Sequence, residues 1–95
     1  MAHRFAWHPQ KAASNASKHG VPFEEAQTVF DDSLAVIFPD DDHSEEEERA
    51  IIIGHSRQQR LLVVSFTHRG DAIRIISARR TTRQERRDYE AGTSI

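Results

Sequence analysis

The chain has 95 residues, which predicts one domain, because a fold of this size buries only about 60–65% of its unfolded surface and has none to spare for a second core. The absence of cysteine excludes disulfides, thiolate catalysis and cysteine-based zinc sites. The formal charge of −2 hides an uneven split: residues 1–48 carry three basic against eleven acidic side chains, or −8, and residues 49–95 carry ten against four, or +6.

A polyanion responds to the local field rather than to net charge, so the second half predicts a surface for nucleic-acid phosphates. A reducing compartment, the cytoplasm, is expected from cysteine usage. The opening MAHRFAWHP lacks the apolar stretch of a signal peptide, and no run of about 18 apolar residues is present to span a bilayer.

In chain order, residues 3–7 read as a short strand with Phe5 and Trp7 on one face. Pro9 suits the first turn of a helix that runs to about Lys18 and stops at Gly20. Phe23, Ala26 and Phe30 recur at helical spacing after Pro22, with Glu24 and Glu25 in the positive first turn, so a second short helix is expected to end at Asp31 and Asp32.

The period then changes. Residues 34–38, 49–54, 61–67 and 72–78 are short, rich in Val and Ile, and separated by turn residues, which predicts a four-stranded antiparallel meander. LLVVSF is apolar on both faces and belongs mid-sheet, whereas IRIIS sets Arg74 opposite Ile73 and Ile75. The acidic stretch DDDHSEEEE reads as a solvated loop. Thr82-x-x-Glu85 has capping-box spacing and opens a basic helix that Gly92 ends, with residues 93–95 fraying.

Three stretches together resemble the BrnT family, the ribonuclease toxins of a bacterial type II toxin–antitoxin pair. They are FAWHPQKAASNASKHGVPFEEAQTVF, EERAIIIG and LLVVSFTHRGDAIRIISARRTTRQERRDYE. The resemblance implies an α+β, RelE-like small RNase fold with N-terminal helices on the sheet and the C-terminal helix closing its edge. It also implies metal-free RNA cleavage that blocks translation, no cofactor, a BrnA-like antitoxin as partner, and contact with DNA only through that antitoxin. One departure is Trp7-His8 where the family has Trp-Asp; losing a good N-cap costs about 1 kcal/mol.

Metal-free cleavage uses the ribose 2′-hydroxyl as nucleophile, and so requires proton transfer and charge neutralisation at phosphorus. Arg74 and Arg79 are the expected phosphate clamp, because the guanidinium fork fits phosphate bidentately. Five residues apart, they share a face only if the strand breaks near Ala78, and that break is expected. Lys11, Asn15 and Lys18 share one side of the first helix, with His19 four residues beyond Asn15, and Lys11, Lys18 and His19 are candidates for proton transfer or charge neutralisation, with a solvated face and a helix-end cation as the plain alternative.

Glu48 and Arg49 can supply a base and a clamp if the chain is irregular there; otherwise they form a surface ion pair. Arg80, Arg83, Arg86 and Arg87 are expected to attract RNA at long range. Glu85 is accounted for by capping, and packing is favoured for Tyr89. The six histidines show neither HxxxH nor HExxH spacing, so no metal site is expected. The alternatives are a non-catalytic module that docks an antitoxin or represses an enzyme, and direct DNA binding, for which no clear helix-turn-helix is present.

Overall fold

The computed structural model describes residues 3–40 and 48–92. The acidic stretch from 41 to 47 and the end from 93 to 95, for which a loop and fraying are expected, lie outside the described residues.

Five strands form one sheet in the order β1-β5-β4-β3-β2: β1 (Arg4–Ala6), β2 (Val36–Pro39), β3 (Arg49–His55), β4 (Leu61–Arg69) and β5 (Ala72–Arg80). Strands β2 to β5 make the expected antiparallel meander, with LLVVSF on the central strand. The four-stranded antiparallel expectation is corrected by β1, which pairs parallel to β5 through Phe5 opposite Ile73, making a mixed sheet. The short strand expected over residues 3–7 forms as β1, but its pairing with a strand nearly seventy positions away leaves no local signal in the sequence.

Helix α1 (Pro9–His19) ends at Gly20, whose φ of 70° is the left-handed geometry that a residue lacking Cβ adopts without strain. His8, expected to cap poorly, does cap: its Nδ1 accepts the Gln10 N–H at 3.2 Å. The second helical segment is α2 (Phe23–Ala26), continued as a 3-10 turn over Gln27–Asp31. The main core lies between these segments and the sheet. Val21, Phe23, Ala26 and Val29 pack on Ile52, Leu62, Val64, Phe66, Ile73, Ile75 and Ala78. An edge-to-face chain runs through it, from Phe5 to Phe30 (5.2 Å between ring centres) to Phe66 (5.0 Å).

Two polar devices anchor the helical layer. Asn15, 7% exposed, donates to the carbonyls of Val21 and Ala78 and accepts the Ala78 N–H, so its amide occupies the outer edge of β5 where β1 has ended. Buried Glu25 takes both Arg60 and the Ser56 hydroxyl, fastening α2 to the β3–β4 hairpin. The Arg60 hydrogen bonds hold the Glu25 carboxyl below the usual carboxylate range against the opposing effect of burial. Gly54 admits the approach of the chain before β2, since a Cβ there would sit 2.7 Å from that of Ala35.

Helix α3 (Arg83–Glu90) opens with the predicted capping box between Thr82 and Glu85. It does not close a sheet edge. Tyr89 packs on Ile53, Leu61 and Val63, a smaller cluster on the sheet face away from α1 and α2, and donates to the Leu34 carbonyl at 3.3 Å. The apolar residues exposed at that end of the sheet take the one aromatic that α3 offers.

Candidate functional site

Alternation along the central strand defines the two sheet faces: Leu62, Val64 and Phe66 point to the helical layer, and Leu61, Val63, Ser65 and Thr67 point away. The pairing of β5 with β4 then places every side chain of interest. Arg74 lies opposite Thr67, and Thr67 lies opposite Arg49 on its other side, so the three form one row across β3, β4 and β5. With strands spaced ~4.8 Å apart, the two arginine backbones stand roughly 10 Å apart, close enough for both side chains to meet one phosphodiester. Thr67 between them is short and 3% exposed, its hydroxyl donating to the Glu48 carbonyl.

Arg79 reaches this face by a route that alternation alone does not foresee. Ser65 pairs with Ser77 but Phe66 pairs with Ile75, leaving Ile76 as an extra residue, a β-bulge. The bulge reverses the parity of the residues beyond it, so Ala78 returns to the core and Arg79, opposite Val63, shares the face of Arg74. The expected strand break near Ala78 is therefore corrected: β5 runs unbroken to Arg80 and the bulge does the work of a break. Ser65 and Ser77, paired directly across the strands between the arginine levels, add two hydroxyls that sequence reasoning missed. The signal for Ser65 was present in the alternating Ser and Thr of VVSFT.

The three arginines differ in how they are held. Among the described residues no carboxylate pairs with Arg74. The Nε of Arg49 is withdrawn from solvent. Arg79 is gripped by Glu85 through both terminal nitrogens at 2.9 Å and also donates to the Arg80 carbonyl at 3.1 Å, which uses three of its five N–H groups and leaves two for a substrate. Glu85 also accepts the Thr82 N–H at 2.8 Å. The Arg79 hydrogen bonds, reinforced by the cap, bring the Glu85 carboxyl down to about 2. A carboxyl so acidic stays ionised near neutrality and serves as a clamp on Arg79, not as a proton carrier.

The other predicted residues do not gather on this face. Lys11, Lys18 and His19 are exposed on α1, which packs in the helical layer through Ala12 and against β5 through buried Asn15. Asn15 therefore has a structural role. Glu48 is exposed just before β3, where its carbonyl takes the Thr67 hydroxyl. Arg80 lies opposite Leu62, on the helical side, and its charge reaches Glu25. Arg86 pairs with Glu90 at 3.2 Å, while Arg83 and Arg87 are exposed on the side of α3 away from Tyr89.

Residues 7–85 match the model of a family described as the ribonuclease toxin BrnT of a type II toxin–antitoxin system. The chain belongs to this family. The crystal structure of the Brucella abortus ribonuclease toxin BrnT superposes on it with a TM-score of 0.68 and 24% identity, covering 86% of this chain and all of that one. The likeness shows that the two share a fold. No curated protein matches. The BrnT family match spans α1, the bulged strand and the helix cap that grips Arg79, so the arginine face lies wholly within it. Among the described residues no helix is long and apolar enough to cross a membrane.

Proposed function

We propose that this BrnT-family protein is a metal-independent endoribonuclease that cuts RNA by attack of a ribose 2′-hydroxyl and thereby blocks translation. The observation that carries the reading is the row of Arg49, Thr67 and Arg74, with Arg79 turned onto the same face by the bulge at Ile76. Arg49 and Arg74 hold the scissile phosphate from two sides, and Arg79, fixed by Glu85, meets the charge that grows on the phosphorane.

In the reaction the 2′-oxygen bonds to phosphorus as its proton leaves, and the bond to the 5′-oxygen breaks as that oxygen gains one. The products are a 2′,3′-cyclic phosphate and a 5′-hydroxyl. Of the candidate proton carriers, Glu48, directly before Arg49, is the group we assign to proton transfer, whereas Lys11, Lys18 and His19 lie with α1 across the sheet from the phosphate. Each transfer contributes about 10²–10⁴-fold. The cellular partner in this reading is a BrnA-like antitoxin that covers the toxin, itself carries the DNA contact, and meets it in the cytoplasm.

The test is incubation of purified, partner-free protein with RNA in excess EDTA. Cleavage is expected to persist and to leave cyclic phosphate ends. Arg74→Ala is expected to lower kcat/KM by about 10²–10³, the loss typical of removing one well-placed transition-state donor. The melting temperature should not move with it. RNA left intact at high protein concentration overturns the nuclease reading in favour of a non-catalytic docking module, and cleavage that EDTA abolishes overturns metal independence.

A further inference from the structure

The bulge at Ile76 turns a second residue onto the arginine face besides Arg79. Unbroken alternation from Arg74 would send Ser77 into the core; beyond the bulge it stands directly opposite Ser65. Both serines are half-buried, in the level between the row of Arg49, Thr67 and Arg74 and the level of Arg79. Among the described residues neither hydroxyl makes a hydrogen bond, although those of Thr28, Ser56, Thr67 and Thr82 all do. Facing residues on paired strands have Cβ atoms about 4.5–5.5 Å apart, so one oxygen seated between the two hydroxyls meets each at a hydrogen-bond length of about 2.8 Å.

We propose that this serine pair receives the ribose 2′-hydroxyl beside the scissile phosphate, and that through it the site takes RNA and rejects DNA. The proposal rests on the nuclease reading above and names what that site recognises besides phosphate. A 2′-hydroxyl both donates and accepts, and its absence is what marks DNA. The serines offer the matching capacities, one accepting from its O–H and the other donating to its oxygen. The flanking groups do not. Arginine only donates, Thr67 is buried with its hydroxyl on the Glu48 carbonyl, and the Glu85 carboxylate is spent on Arg79 and the helix cap.

The phosphate itself has better partners than the serines. A charge-assisted hydrogen bond from a guanidinium is about twice as strong as one from a neutral hydroxyl, so the phosphate oxygens go to Arg49, Arg74 and Arg79. Successive levels on one face of a strand are roughly 7 Å apart, and a serine side chain is far shorter than an arginine. The pair therefore forms the floor between taller cations, where a ribose fits beneath the phosphate they hold. Seated there, the 2′-oxygen faces phosphorus; the serines orient it and do not carry its proton away.

The experiment measures kcat/KM on a single-stranded RNA and Kd for DNA of the same sequence, with the wild type, Ser65→Ala, Ser77→Ala, Ser65→Thr and Ser77→Thr. Each alanine variant is expected to lower kcat/KM on RNA by about 3–10-fold, the worth of one neutral hydrogen bond, and to leave the DNA Kd unchanged. The threonine variants, which keep a hydroxyl, should recover most of that loss. Serines that only shape the sheet would weaken RNA and DNA alike on replacement, and that outcome overturns the proposal. Unchanged RNA cleavage in both alanine variants overturns it too. So does a change in the base preferred at the cut, which would give the hydroxyls to a nucleobase edge. If the wild type cuts no RNA, the nuclease reading falls on its own, and the ratio of RNA and DNA Kd values is read instead. The proposal then requires RNA to bind the tighter and both alanine variants to narrow the gap, and a wild type that holds the two strands equally overturns it.

Discussion

Arg79 is the most constrained cation on the arginine face, and Glu85 is what constrains it. The carboxylate of Glu85 serves two elements at once, closing the capping box of α3 and holding both terminal nitrogens of Arg79. The sequence showed the first role through Thr82-x-x-Glu85 spacing, but not the second, because the contact depends on where α3 lies over the sheet. The linkage has a definite sign. A carboxyl held at about 2 in the folded state, against 4.5 ordinarily, contributes stability that is fully present above pH ~4.5 and is lost as the pH falls toward 2. Acid titration should therefore loosen α3 within that window, seen as loss of near-ultraviolet ellipticity from Tyr89. Glu85→Gln should remove that acid step and lower the melting temperature at pH 7.

At the scale of elements, the outcome turned on features without a local signal. The meander, both long helices and the central place of LLVVSF were legible because apolar periodicity sets them. The β1 pairing and the Ile76 bulge were not, since each is settled by register against a distant strand. The bulge matters most for function, as it puts Arg74 and Arg79 on one face of an unbroken strand. The start of α1 shows a smaller departure. His8 caps through a ring nitrogen at 3.2 Å, a contact available only to the unprotonated Nδ1, and no acidic residue occupies the first turn. Aspartate there would accept the same N–H and meet the helix dipole with a full negative charge, so His8→Asp is expected to stabilise the fold by about 0.5–1 kcal/mol. Urea denaturation at pH 7 measures it, and an unchanged midpoint would show that His8 already caps as well as a carboxylate.

Across the whole molecule, the charge split of the sequence survives only in part. The ten basic residues after position 48 suggest a broad positive surface and RNA binding that collapses with salt. Folding spends several of them on carboxylates: Arg57 on Asp31, Arg60 on Glu25 and Arg86 on Glu90. Arg80 faces the helical layer, and Arg83 and Arg87 project from the far side of α3. The proposed site draws on three of the ten on one face, Arg49, Arg74 and the clamped Arg79, about three charges for single-stranded RNA. Each phosphate neutralised on a single strand contributes about −0.7 to the slope of log K against log salt, so the structure leads to a slope near −2, whereas a contact spread over all seven candidate arginines would give about −5. Measured for a cleavage-resistant RNA carrying 2′-methoxy groups, a slope near −2 that Arg74→Ala makes shallower by ~0.7 would identify the sheet face as the binding surface. A slope near −5 that falls instead with Arg83→Ala and Arg87→Ala would move binding onto the outer side of α3.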